Sequence, residues 1–385
     1  PSNDYSVETP PSSHQQQTGT AITGKSKKKS KVQEKFGWRK VEIEKVDLVW
    51  KGKPCQVPGI LETPLKYFQI FFEDELLELI VEQSNLFALQ TEGCNFCLTV
   101  EELKIFMSII LLLGVVRVPY YRMHCEAATR HPQIADKIGR QTFDKIKRFL
   151  HFNDNSKAKK PVEQGFDKLY NIRPAKRLEI ISAEKPTTLG IKVFTRAGVS
   201  GFVHDFEVYQ GKGTLVEDDI EPDLEVGGNI VLRLISTLPE KMNNMIYFDN
   251  WFSTLKLMSL LKIEGFPCIG TLNKARLKGC PLVTDGKIKK RERGTLDDRT
   301  DIHSGVIVVK WLDNNTVCLA STYEGITPQD TCRRWNVKDK SRVKVSRPAI
   351  VYEYNRHMGG VDLADMLVEM CRTHLQTRKW YMRIF

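Results

Sequence analysis

The apolar residues of this chain switch from helical to strand spacing near residue 190, and that switch limits the fold more than any single motif does. From Thr63 to about Phe152 they recur at intervals of three and four, the spacing of one helix face. From Gly190 the period switches to two, the spacing of half-buried strands. A helical region must therefore precede a region built on a sheet, and strands alternating with helices in the second half imply an α/β architecture.

Three helices are expected first. "TPLKYFQIFFEDELLELIVEQSNLFAL" opens with Thr63 as N-cap and Pro64 at the first helical position. "TVEE" at Thr99 forms a capping box with Glu102, and Pro119 ends that helix. A third covers about Arg140 to Phe152, with Phe143, Ile146, Phe149 and Leu150 on its apolar face and Arg140, Lys145, Lys147 and Arg148 elsewhere. Strands around "AGVSG" form a hairpin, and a helix follows from about Asn229 to Thr237. Then come the strand "MIYF", a helix from Ser253 to about Ile263, the strand "CIGTL" from Cys268, and a hairpin around Asp313 and Asn314.

Composition narrows the partners. The chain has 58 Lys and Arg against 47 Asp and Glu, a formal net charge of +11. Such an excess suits a polyanion, either nucleic acid or an acidic membrane surface. No apolar run reaches the ~20 residues that span a bilayer; the run Ile105 to Val116 is bounded by Lys104 and Arg117. No signal-peptide core precedes it, and nine scattered cysteines do not make a secreted disulfide framework. Cys94 and Cys97 form the sole C-x-x-C pair, without a second pair at zinc-finger spacing. A reducing compartment is expected, and the tail 1–40, with "GKSKKKSKVQEK", reads as disordered and either nuclear-targeting or simply solvated.

Basic charge concentrates in two stretches. Residues 274 to 293 carry Lys274, Arg276, Lys278, Lys287, Lys289, Lys290, Arg291 and Arg293 against two acids. "CRRWNVKDKSRVKVSRP" sets Trp335 beside Arg333 and Arg334. Cations with an interleaved aromatic suit phosphate contacts and stacking, so these residues are the candidate DNA-binding set.

The carboxylates admit two readings. Asp249 ends an apolar strand, and Asp362 follows the Gly359–Gly360 pair at a helix start, with Asp365 one turn later on the same face. Acids at such positions can hold Mg²⁺ for phosphoryl transfer. Equally, Asp249 can initiate a turn and Asp362 can cap a helix.

"FDNWFSTLKLMSLLKIEGFPCIGTL", "YNRHMGGVDLADML", "FEDELLELIVEQSNLFA" and "FDKIKRFLHFND" resemble the piggyBac transposases and their domesticated relatives, in the family's order. The resemblance runs from about Thr63 to Phe385. It implies an α/β protein with an RNase H-like transposase core and a basic β-rich insertion, preceded by a helical DNA-binding and dimerisation domain. The corresponding boundaries are 41–178 for the helical domain, 185–273 and 348–385 for the core, and 274–347 for the insertion. It also implies a nuclear protein that acts on DNA, with a homodimer as one arrangement and neither a membrane nor a small-molecule substrate.

The family's catalytic triad consists of three Asp that use Mg²⁺. By motif, Asp249 and Asp362 match the second and third, with Asp365 as an accessory acid. The first has no counterpart, since no Asp lies between Asp167 and Asp205, and only Glu179 and Glu184 are near that gap. The core is thus expected to lack its first strand and its C-terminal end. Three functional readings follow: a transposase-derived, catalytically inactive DNA-binding protein; an active Mg²⁺-dependent recombinase in which Glu179 or Glu184 completes the triad; or a splice or truncated product with an unstable core.

Overall fold

In the computed structural model, residues 36–43, 46, 48–52, 62–93, 95–160, 163, 166, 167, 169–172, 192–209, 224–277, 279–336, 340–371 and 379 are described. The tail 1–35, Cys94, Glu179, Glu184 and Lys278 lie outside them.

The helical region is built as its period requires, with one correction. Thr63 Oγ1 accepts the Lys66 N–H and Pro64 starts α1 (Pro64–Phe71), but the helix stops there. A second, α2 (Asp74–Glu92), begins after two intervening residues. The acids explain the break. Asp74 and Glu75 fall in the first turn of α2, where the positive end of the helix dipole favours them. Gly93 ends α2 in the left-handed conformation, at φ 64°.

The Thr99–Glu102 capping box is present at the start of α3 (Val100–Val115). A short α4 (Pro132–Ala135) precedes α5 (Arg140–Phe149), which ends earlier than its apolar pattern does. Leu76, Leu77 and Ile80 of α2, Leu103 and Phe106 of α3, and Phe143 and Ile146 of α5 form one core.

Six strands make the main sheet: β1 (Trp38–Arg39), β4 (Ile246–Phe248), β5 (Cys268–Thr271), β6 (Leu296–Asp301), β7 (Ile307–Leu312) and β8 (Thr316–Ser321). Their order is β1-β6-β7-β8-β5-β4. Only β4 and β5 are parallel, and a helix must cross between them. That helix is α7 (Leu255–Ile263), capped by Thr254 Oγ1 on the Leu257 N–H. β8 pairs with β5, so strands on both sides of residue 273 share this sheet. Among the described residues, β4 has no strand on its other edge.

Two hairpins stand apart from that sheet. β2 (Val193–Ala197) pairs with β3 (Val203–Val208), and β9 (Asp330–Asn336) with β10 (Ser341–Arg347). The β2–β3 hairpin is a joint between layers. Phe206 and Val208 enter the helical core, while Phe194 packs on Ile230 and Leu234 of α6 (Glu225–Ile235). Val231 and Ile235, also on α6, join Phe248 and α7 in the core beneath β4.

One guanidinium clamps this joint. Arg233 of α6 reaches Asp205 at 2.8 Å and Glu207 at 3.5 Å, both buried on β3. Removing one partner of a buried pair leaves charge uncompensated. Arg233→Met should lower the unfolding free energy by about 3 kcal/mol, read from the urea midpoint at neutral pH; a loss within the scatter of surface mutations would show the clamp to be dispensable.

The buried carboxyl of Asp298 on β6 works in the opposite sense. Its Oδ1 has no hydrogen-bond partner, and burial pushes its pKa up, with nearby Lys40 acting against that and Asp297 reinforcing it. A carboxyl raised in the folded state costs stability above its unfolded pKa and costs nothing below it. Asp298→Asn should therefore raise the melting temperature at neutral pH, with the gain vanishing near about pH 3. Thermal scans at the two pH values check both the sign and its disappearance.

Candidate functional site

At the end of β4 the chain reverses around Asp249. The Asn250 N–H donates to Asp249 Oδ1 at 2.6 Å, and the Phe252 and Ser253 N–H groups donate to its backbone carbonyl. The turn-initiating reading of this residue is therefore realised. Thr271, at the end of the neighbouring β5, donates its hydroxyl to the same Oδ1 at 3.0 Å. The side chain is exposed, so the carboxylate faces solvent while one of its oxygens is oriented by the sheet.

The loop after Asp249 is held from three sides. Arg276 donates from one Nη to the carbonyls of Asn250, Trp251 and Ser253, at 2.9, 2.8 and 2.9 Å. The Trp251 ring stacks on Phe194 with centroids 5.0 Å apart, and the Lys192 ammonium sits 4.2 Å from the Trp251 centroid. On the third side Gly227 of α6 approaches so closely that a Cβ there would lie 2.8 Å from the Trp251 carbonyl oxygen.

Asp362 comes from the far end of the chain. The helix α9 (Ala349–His357) leads into α10 (Gly360–Cys371), and the Leu363 N–H bonds the Gly359 carbonyl. Asp362 is thus the third residue of α10, not its N-cap; the carboxylate lies in the first turn, where the dipole favours it. The start of α10 is pinned to the β2–β3 turn. A Cβ on Gly360 would lie 2.4 Å from the Gly198 carbonyl oxygen, and one on Gly201, at φ +82°, 2.9 Å from Leu363. Asp362 is exposed and Asp365 half-buried.

Tyr354 of α9 links the two acids. Burial raises its phenol pKa, hydrogen-bond contact with Thr271 lowers it, and the charges of Asp249 and Asp362 both raise it. One phenol therefore feels both carboxylates, although they lie 113 residues apart in sequence (362 − 249). Among the described residues no group of three or more His, Cys, Asp or Glu is placed to hold a metal ion.

The basic candidates divide in two. Lys274 pairs with Asp285 of the short helix α8 (Asp285–Ile288), and Arg276 is committed to the loop carbonyls. Arg293 and Arg334 share Asp313, at 2.6 and 3.0 Å. These four cations are tied into the fold. Lys287, Lys289, Lys290, Arg291 and Arg333 are exposed, with no ion pair among the described residues, and Trp335 is 55% exposed.

Thr271, Tyr354, Lys192 and Gly227 were not singled out from sequence. Thr271 alone carried a signal, as the end of a strand adjacent to that of Asp249. The contacts of the other three arise from pairings distant in the chain.

The chain belongs to the piggyBac-type transposases, since the family model described as Transposase IS4 matches residues 63–176 and 177–385. PiggyBac transposable element-derived protein 3 of Homo sapiens is 30% identical over 380 residues, covering 89% of this chain and 62% of that protein. PiggyBac transposable element-derived protein 2 of Homo sapiens is 28% identical over 394 residues, 93% of this chain and 65% of that protein. The chain thus spans less than two thirds of the length of either relative. In fold it resembles a piggyBac transposase solved by cryo-EM in a synaptic complex with hairpin DNA. The TM-score is 0.66 at 18% identity, over 84% of this chain and 71% of that one.

The three bonds from Arg276 predict a structural phenotype. Arg276→Ala should cost about 2 kcal/mol of stability, whereas Lys290→Ala should stay within about 0.5 kcal/mol. Urea unfolding of both variants tests this, and equal effects would refute the division between tied and open cations.

Proposed function

We propose that this protein is a transposase-derived DNA-binding protein that does not carry out cut-and-paste chemistry. The observation behind this reading is the contrast between its cations and its carboxylates. Lys287, Lys289, Lys290, Arg291 and Arg333 face solvent with no ion pair among the described residues, as phosphate contacts require. The charges of Asp249 and Asp362 both act on the Tyr354 phenol, and among the described residues no group of three or more His, Cys, Asp or Glu is placed to hold a metal ion.

In the family's terms, the core is RNase H-like, Asp249 and Asp362 are its second and third acids, and the first is missing. Two-metal transfer needs enough carboxylates to hold two cations ~3.5–4 Å apart, one for the attacking and one for the leaving oxygen. Asp249 already commits one oxygen to Thr271 and to its own turn. The protein is accordingly read as a nuclear DNA-holding factor that works without Mg²⁺. The similar solved transposase is bound to DNA, and DNA contact is carried to this chain as part of the proposal.

The test combines binding with cleavage. Purified protein should bind duplex DNA with an affinity that falls steeply between ~50 and 200 mM salt. It should leave supercoiled DNA intact in Mg²⁺ or Mn²⁺. Nicking that disappears in Asp249→Ala would instead make it an active recombinase, with Glu179 or Glu184 as the first acid to examine. Salt-independent or undetectable binding would refute the DNA-holding role.

A further inference from the structure

The β9–β10 hairpin presents a surface that neither its charge count nor its motifs disclose. In an antiparallel ladder, directly opposed residues point to the same face, and the face alternates along each strand. The register pairs Val345 with Cys332 and Val343 with Arg334, and these residues face inward. Val343, Val345 and Cys332 pack in the core with Trp311 and Ile350, and Arg334 turns in to Asp313.

The alternate pairs face out. They are Arg342 opposite Trp335, and Lys344 opposite Arg333, all four exposed. One face of a two-stranded ribbon thus carries three cations and an indole, in rows about 6.8 Å apart. None of the three cations has an ion pair among the described residues. The Trp335 ring, 55% exposed, likewise has no aromatic or cationic partner among them.

The ribbon is braced from behind and contacted at β10. Arg293 donates to the Trp335 carbonyl at 3.2 Å, which fixes the strand beneath the ring. Gly294 approaches β10 so closely that a Cβ would lie 3.2 Å from the Ser346 nitrogen. That contact sets the segment following Lys289, Lys290 and Arg291 against the strand that carries Arg342 and Lys344.

We infer that the outer face of this ribbon is a stacking platform for unpaired bases of a DNA strand, with Trp335 under a base and Arg333, Arg342 and Lys344 on flanking phosphates. The indole decides between single strand and duplex. Bases inside a duplex are already stacked and offer a protein only their edges, which are read by paired donors and acceptors. Indole has one donor and no acceptor, so it reads edges poorly. A flat exposed ring gains most from a base that has left its stack. The inference rests on the DNA-binding reading and adds a preference to it.

The test uses the full chain, a labelled oligothymidylate of about 20 nucleotides and a blunt duplex of similar length, titrated by fluorescence anisotropy. Trp335→Ala should weaken single-strand binding about 5- to 100-fold and change duplex binding less than about 2-fold, the level expected of an exposed site. Trp335→Phe should recover most of the loss. Arg333→Gln, Arg342→Gln and Lys344→Gln combined should weaken both substrates and flatten the single-strand salt slope by about 2. Melting temperatures matching the parent would show that the variants keep the hairpin.

Equal loss on both substrates, or no loss on single strands, in Trp335→Ala would overturn the platform. Parent protein that binds duplex but not single strand would also overturn it while leaving the DNA-binding reading intact. Parent protein that binds neither would remove both.

Discussion

Everything around the candidate site depends on one guanidinium. Where β4 ends, the chain turns at once, and the carbonyls of Asn250, Trp251 and Ser253 point away from any strand that could bond them. Arg276 holds them from a single Nη, whose two hydrogens are shared among the three carbonyls at 2.8–2.9 Å. A charged donor binds these carbonyls more strongly than a neutral side chain would. With the loop fixed, Trp251 can lie on Phe194 and Asp249 can stand at the sheet edge beside Thr271.

The β2–β3 hairpin carries that order to the rest of the molecule. It touches the helical core through Phe206 and Val208, α6 through Phe194, and the start of α10 through Gly198 and Gly201. Glycines are needed at the last contact because backbones meet with no room for a Cβ. A small two-stranded sheet therefore contacts both the loop after Asp249 and the start of the helix that carries Asp362. The clamp of Arg233 on Asp205 and Glu207 holds α6 in the same arrangement.

Local signals in the sequence were legible where local chemistry decides structure. The Thr99–Glu102 box and the Thr63 cap are satisfied within four residues, so their geometry follows from spacing. The strand ending at Asp249 and the helix capped beside Ser253 follow from pattern in the same way. The break at Phe72 was not legible from the apolar pattern, because Phe72 and Leu76 keep helical spacing across it. The position of Asp362 inside α10, rather than at its cap, was equally hidden by a glycine pair that reads as a stop. That β5 and β8 share one sheet depends on a pairing about 50 residues apart in sequence, which periodicity cannot report.

The basic residues show the same division most clearly. By itself, the sequence determined that this chain is cationic, that its charge gathers after residue 274, that helices precede a mixed sheet, and that its acidic motifs are those of a transposase family. These are properties of composition and of neighbours along the chain. Only the tertiary structure decided which cations remain available. Lys274, Arg276, Arg293 and Arg334 are consumed by Asp285, Asp313 and loop carbonyls, while Arg333, Arg342 and Lys344 come together on one face through strand register. A charge's partner is set by distance in space, and neither register nor long-range pairing is written in the local order of residues.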